Sequence, residues 1–178
     1  RLSDPQGQPG DSFGYAVDVD EDVIVVGKPA KGAGDAQLFS KQDGAWVREA
    51  KWSGSSAGDR FGQSVAISGD LVAIGAQNAA TTGGAATGAV QVYRKASGIW
   101  ETSALLQAGD GLAGDRFGTS LALDGNRLLV GSIFSNSMRG GAYLFEWSGS
   151  NWQFVSSLFS TSGGYNGSAG WSVALKGN

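Results

Sequence analysis

Histidine and cysteine are both absent from this 178-residue sequence, so its chemistry must come from carboxylates, amines, hydroxyls and the backbone. Without histidine there is no Ser-His-Asp triad, no imidazole general base and no imidazole metal ligand. Without cysteine, thiol catalysis, disulfides, iron–sulfur clusters and the usual zinc sites are excluded too. Any metal would be a hard cation held by carboxylates and carbonyls. The nearest imitation of such a loop is Asp18-Val19-Asp20-Glu21-Asp22. It has Val23 where the sixth-position glycine belongs and no closing carboxylate, so no metal site and no cofactor are expected. More regular are Asp11, Asp59-Arg60 and Asp115-Arg116, each preceded by glycine. They read either as a set that contacts a polar ligand or as turn caps with modest exposed ion pairs. Asn166-Gly167-Ser168 matches the N-glycosylation acceptor pattern, which matters only in a secretory pathway. No paired carboxylates or phosphate-cradling loop accompany these residues, and the expectation is a chain that is not an enzyme.

The elements that carry these residues are set by a repeat. Gly10-Asp11-Ser12-Phe13-Gly14-Tyr15-Ala16-Val17 returns as Gly58-Asp59-Arg60-Phe61-Gly62-Gln63-Ser64-Val65. It returns again as Gly114-Asp115-Arg116-Phe117-Gly118-Thr119-Ser120-Leu121, and in degraded form as Ala169-Gly170-Trp171-Ser172-Val173. Gly14, Gly62, Gly118 and Gly170 lie 48, 56 and 52 residues apart. Each copy parses into four strands. An alternating strand follows the Phe-Gly pair, and a two-residue turn follows it, at Gly69-Asp70, Gly125-Asn126 and Gly177-Asn178. Glu21-Asp22 fills that slot in the first copy, a poorer fit that predicts a looser hairpin. The second strand is a nearly continuous apolar run ending at glycine, Val23–Gly27, Leu71–Gly75 and Leu128–Gly131, as suits burial on both faces. After a variable loop comes a third strand, Ala36–Phe39, Ala89–Tyr93 and Ala142–Phe145. A turn then leads to Trp46, Trp100 and Trp152 at the start of a more polar fourth strand; these rings are expected to pack between neighbouring units.

Thirty glycines against three prolines, with spaced apolar runs, fit many short strands joined by tight turns. Four antiparallel strands at a fixed period of this length favour a propeller over a solenoid. The fold expected is therefore all-β, a β-propeller of four-stranded antiparallel blades, incomplete here, with three full blades plus one strand. The blades fall at approximately 11–57, 58–113 and 114–166, and the first strand of a further blade at 167–178. Propellers close at roughly four to eight blades. The chain is thus expected to be an excerpt of a larger polypeptide or assembly, since a dimer would leave junction blades without second and third strands.

The Phe-Gly pair, followed by Gly27-Lys28-Pro29, Gly75-Ala76-Gln77 and Gly131-Ser132-Ile133 at the end of the second strand, resembles the FG-GAP repeat. That repeat occurs in the propeller head of integrin α subunits and in many secreted and surface proteins. The resemblance implies adhesion, glycan binding or protein docking. Calcium-binding members insert a D-x-D-x-D-G loop between the first two strands; the two-residue turn here is too short for a cation needing roughly six to eight oxygens, so that function is not carried over.

The expected function is a non-catalytic binding or scaffold module for protein–protein interaction or adhesion. The alternatives are a glycan-binding lectin-type propeller and an accessory domain of a larger enzyme. A protein partner or larger assembly is expected, extracellular or at the cell surface, with an organelle lumen or periplasm as the alternative. A net charge of −3 provides no field for nucleic acid, and no apolar run reaches the roughly 18 residues of a membrane span. In a propeller the fourth-to-first and second-to-third connections share one face. Asp11, Asp59, Arg60, Asp115 and Arg116 would sit there beside the variable loops 28–34, 76–88 and 132–141. The uncharged loop 76–88 is expected to be flexible or pressed against a neighbour.

Overall fold

The computed structural model describes residues 2–159 and 167–177. Three antiparallel sheets, each of four strands in chain order, make up the fold. The first contains β1 (Ala16–Asp20), β2 (Val23–Lys28), β3 (Asp35–Gln42) and β4 (Ala45–Ser53). The second contains β5 (Phe61–Ser68), β6 (Leu71–Ala76), β7 (Ala89–Ala96) and β8 (Ile99–Leu106). The third contains β9 (Phe117–Asp124), β10 (Arg127–Ser132), β11 (Gly141–Trp147) and β12 (Trp152–Phe159). These are blades of an incomplete propeller. β1, β5 and β9 lie innermost, and Val17, Val65 and Leu121 line a channel with Val173–Leu175. That last segment continues past Gly170 into the place where a fourth blade would begin. Residues 171–177 form no ladder.

The blades stack through two apolar layers. Val25, Ala36 and Leu38 of the first meet Phe61, Val65, Ile67, Val72 and Ile74 of the second. Ala73, Val90 and Val92 of the second meet Phe117, Leu128, Val130, Tyr143 and Phe145 of the third. Alternation along each strand makes this possible: β6 sends Val72 and Ile74 one way and Ala73 the other, and all six of its residues are buried.

The repeated glycines are explained at these interfaces. A Cβ on Gly27, Gly75 or Gly131, at the end of each second strand, would collide with the carbonyl oxygen of Gly62, Gly118 or Gly170 in the next blade. Gly62 and Gly118 are in turn held at φ 86°, where a side chain is strained. The Phe-Gly glycine of one blade and the second-strand glycine of the blade before it are thus two halves of one backbone contact. Phe61 and Phe117 plug the adjoining core and are almost fully buried.

The first hairpin departs from expectation. Asp20 pairs directly with Val23, so the Glu21-Asp22 turn is as short as those at Gly69-Asp70 and Gly125-Asn126. Glu21 adopts φ 49°, close to the 53° of Gly69 and 56° of Gly125, so the turn stays tight and the residue carries the strain.

Of the recurring tryptophans, Trp100 lies between blades as expected. Its ring meets Trp52 of the first blade edge-on at 6.0 Å, and its Nε1–H donates to Glu49 Oε1 at 3.0 Å. Lys95 completes the brace, 2.7 Å from the same Glu49 oxygen. Trp152 packs against the apolar layer between the second and third blades and also meets Trp147 of its own blade, whereas Trp46 borders a hollow with Leu2, Ser3 and Pro5.

Candidate functional site

The three aspartates of the repeat occupy one structural position. Each carboxylate accepts the N–H three residues upstream at 2.8 Å: Gln8 for Asp11, Ser56 for Asp59 and Leu112 for Asp115. Each main-chain carbonyl accepts an N–H from its own blade's second-to-third loop, Ala30, Asn78 and Phe134 respectively. All three residues are buried. Burial opposes ionisation, but hydrogen bonding to the charged form favours it. For Asp11 the Gln8 N–H is the main influence; burial opposes it, and the Phe13 N–H and nearby Lys28 help hold the carboxyl below its ordinary value. The turn-capping half of the sequence expectation is therefore met. The exposed ion pairs are not: neither Asp59 with Arg60 nor Asp115 with Arg116 approaches ion-pair distance, because the carboxylates turn inward to the backbone.

The residue after each aspartate, Ser12, Arg60 or Arg116, sits at φ 63°, 58° and 59°. This backbone kink separates the arginine from its aspartate neighbour. Arg116 lies over the Phe134 ring, 5.0 Å from its centroid, a cation–π arrangement. Leu112, 68% exposed, and Met138, 44% exposed, border the same hollow of about 260 Å³. Asn136, Ser137 and Met138 there have successive φ values of 52°, 59° and 65°. Three left-handed non-glycine residues in a row are costly and persist only where the surroundings hold them.

The loop face is stiffened by contacts between blades. Phe61 N–H donates to Ala33, Phe117 N–H to Thr87 and Ala169 N–H to Arg139, so the second-to-third loop of each blade runs beside the next blade's first strand. Ala169 keeps this contact although it replaces the repeat's phenylalanine. The loop 76–88 is accordingly pressed against its neighbour. Ala85 and Ala86 accept from Gly114 and Arg116, and Thr87 is buried. Asn166 lies outside the described residues.

Three features escaped the sequence reading. First, Asp20, Ser68 and Asp124, the last residues of the inner strands, accept the turn-glycine N–H of the following blade: Gly69 at 2.6 Å, Gly125 at 3.0 Å and Gly177 at 2.6 Å. Asp18 likewise accepts Ile67 N–H at 2.8 Å. Two residues of the acidic run, Asp18 and Asp20, therefore serve blade stacking. The signal was present as a polar residue just before each turn, but only the register between blades gives it meaning. Second, Ser64 and Ser120 donate to the carbonyls of Gly118 and Gly170, both at 2.7 Å.

Third, Lys28 anchors a buried ionic cluster in the first blade. Its Nζ lies 2.7 Å from Asp4, 2.9 Å from Asp35 and 3.6 Å from Asp11, and Arg48 and Lys51 stand on the rim. Burial disfavours the charged forms, but the ion pairs outweigh it. They push the Lys28 amine well above its ordinary value and, with the Gln6 N–H, hold Asp4 at about 2. Ala76 and Ser132 replace Lys28 in the other blades, so the cluster is not part of the repeat. It ties the segment before the first Phe-Gly pair onto the blade. Among the described residues, no group of three or more acidic side chains is arranged to hold a metal ion.

Among curated proteins none matches this chain. A family model described as FG-GAP repeat does, over residues 1–39, 46–93 and 100–145. These three stretches contain the aspartate clamps of all three blades and the glycine contacts Gly27–Gly62 and Gly75–Gly118. The chain belongs to the FG-GAP repeat family.

Proposed function

We propose that the chain is a non-catalytic binding module that presents its loop face to a protein partner, outside the cell or at its surface. FG-GAP repeats are generally involved in protein–protein interaction or adhesion, typically in extracellular or surface proteins. The observation that carries this reading is the third-blade patch. Exposed Leu112 and Met138 flank Arg116 on Phe134, above a backbone clamped by Asp115. Arginine and large apolar side chains on a rigid support are the composition of an interface centre. In this arrangement Asp11, Asp59 and Asp115 hold the loops in place, while Arg60 and Arg116 supply contact. Among the described residues, no helix is long and apolar enough to cross a membrane.

The test is affinity capture from the native source with the unaltered chain and with Leu112→Ser and Arg116→Ala. A stoichiometric protein partner retained by the first and lost by both variants is the expected result. Leu112 is exposed and Arg116 is half-buried over Phe134, so thermal stability should shift by no more than about 1 kcal/mol. Capture of no partner, or of one indifferent to both substitutions, refutes the assignment.

A further inference from the structure

The loop face carries charge of the opposite sign to the chain as a whole. The sequence has a net charge of −3, yet the carboxylates on this face are engaged inside the fold. Asp11, Asp59 and Asp115 accept backbone N–H groups, and Asp4 and Asp35 are held by Lys28. Asp110 is exposed, and it accepts the Tyr143 hydroxyl at 3.0 Å. Apart from Lys28, the cations of this face stay outside. Lys31, Arg60 and Arg139 are exposed, and Arg116 is half-buried over Phe134. Among the described residues, no carboxylate stands within ion-pair distance of any of these four.

Contacts between blades fix where these cations stand. At the first joint, Gly58 N–H donates to Gly32 at 2.8 Å and Phe61 N–H to Ala33 at 2.9 Å, which sets the loop of Lys31 against Arg60. At the second, Arg116 N–H donates to Ala86 at 3.1 Å. Beyond the third blade, the Arg139 carbonyl accepts Ala169 N–H at 3.1 Å. Each joint therefore bears at least one cation, with the uncharged loop 76–88 and exposed Leu112 and Met138 between them. The acidic excess lies at the other end of the blades, where Asp20, Glu21, Asp22, Asp43, Asp70 and Asp124 outnumber Lys41, Lys95 and Arg127.

We propose that the loop face docks an acidic segment of a protein partner. Its carboxylates meet Lys31, Arg60, Arg116 and Arg139, and its apolar side chains meet Leu112 and Met138. Unpaired arginines present a planar fork that matches a carboxylate, and complementary charge steers a partner to the right face. A nucleic acid or sulfated polysaccharide carries charge on nearly every unit and calls for a dense basic stripe. Cations set one blade apart, with apolar surface between them, fit carboxylates interspersed among apolar residues instead. The inference rests on the reading of the chain as a protein-binding module and supplies the chemistry of the partner.

The experiment is a fluorescence-anisotropy titration of a labelled peptide composed of Glu, Leu and Ser with the unaltered chain. The same peptide with Lys in place of Glu, and a heparin oligosaccharide, are run beside it. Saturable binding of the acidic peptide, weakening as salt is raised, is expected, with none of the lysine peptide. The combined variant Lys31→Gln, Arg60→Gln and Arg139→Gln removes only exposed side chains and should weaken binding by roughly tenfold. Lys41→Gln with Arg127→Gln, at the other end of the blades, should leave it unchanged. Absence of saturable binding, equal binding of the lysine peptide, or indifference to the triple variant overturns the proposal. Tighter binding of heparin, lost in the same triple variant, also overturns it, in favour of a sulfated polysaccharide. A protein captured through Leu112 and Arg116 but indifferent to salt and to the triple variant refutes the acidic partner and leaves the protein-binding reading intact. Acidic-peptide binding that the triple variant abolishes, with no protein captured, upholds the charge of the face and refutes the protein-binding reading.

Discussion

Ala16 occupies the position held by Ser64 and Ser120 in the other blades. It pairs with Gly27 as Ser64 pairs with Gly75 and Ser120 with Gly131. The Gly62 carbonyl sits against Gly27 as the Gly118 carbonyl sits against Gly75. Only the hydroxyl is missing. Ala16→Ser should therefore install a hydrogen bond to Gly62 across the first interface, while Ser64→Ala should remove the existing 2.7 Å bond to Gly118. A net intramolecular hydrogen bond contributes about 0.5–1.5 kcal/mol, whereas leaving a buried polar group short of its partner costs about 1–3 kcal/mol. Ser64 is buried and Ala16 half-buried, so the loss should exceed the gain. In urea, with a slope of about 2–3 kcal/mol per molar, a 1 kcal/mol gain raises the midpoint by roughly 0.3–0.5 M. Equilibrium unfolding followed by tryptophan fluorescence and by circular dichroism measures both changes, with unchanged slopes required for the comparison. A neutral or destabilising Ala16→Ser beside a harmless Ser64→Ala would refute the claim that this repeated position is an interblade fastener.

The remaining predictions concern the close contacts and the buried charges. Gly75→Ala places a Cβ against the Gly118 carbonyl and the Ser64 hydroxyl, both buried; the chain should lose more than about 3 kcal/mol, or fail to yield folded protein, in thermal denaturation. Gly98→Ala, at an open turn with φ 81°, meets no neighbour and should cost only the local strain of about 1–2 kcal/mol. Lys28→Met leaves Asp4, Asp35 and Asp11 facing one another without their cation, and should destabilise by about 3–5 kcal/mol in chemical denaturation. Because the folded-state pKa of Asp4, about 2, lies below its ordinary value of 3.8, its contribution is present above about pH 4 and is lost as pH falls toward 2. Asp4→Asn should flatten that part of the acid-denaturation curve; an unchanged acid limb would show that Asp4 is not paired as described.

The strand pattern was legible because its signals are local. An apolar run ending at glycine, as in Leu71–Gly75, needs no partner to be read as a buried strand, and Gly69-Asp70 marks its own turn. The tightness of the Glu21-Asp22 turn was not legible, since the strain at Glu21 is carried by the pairing of Asp20 with Val23 and not by local preference. The aspartates of the repeat were found at once, but their use was half misread. Asp59 next to Arg60 suggests an ion pair in sequence, whereas the left-handed backbone at Arg60 sends the two side chains apart.

What the sequence determined by itself was the repeat, and with it the twelve strands of the three blades, their order and the positions that must be glycine, because periodicity and turn chemistry act within a few residues; the further strand expected at 167–178 forms no ladder over residues 171–177. The tertiary structure alone decided what those positions touch. Gly27 meeting Gly62, Asp20 reaching Gly69 and Trp52 lying on Tyr93 all join residues from separate blades. Contacts of that kind depend on how one sheet is laid upon the next, and no period along the chain encodes that geometry.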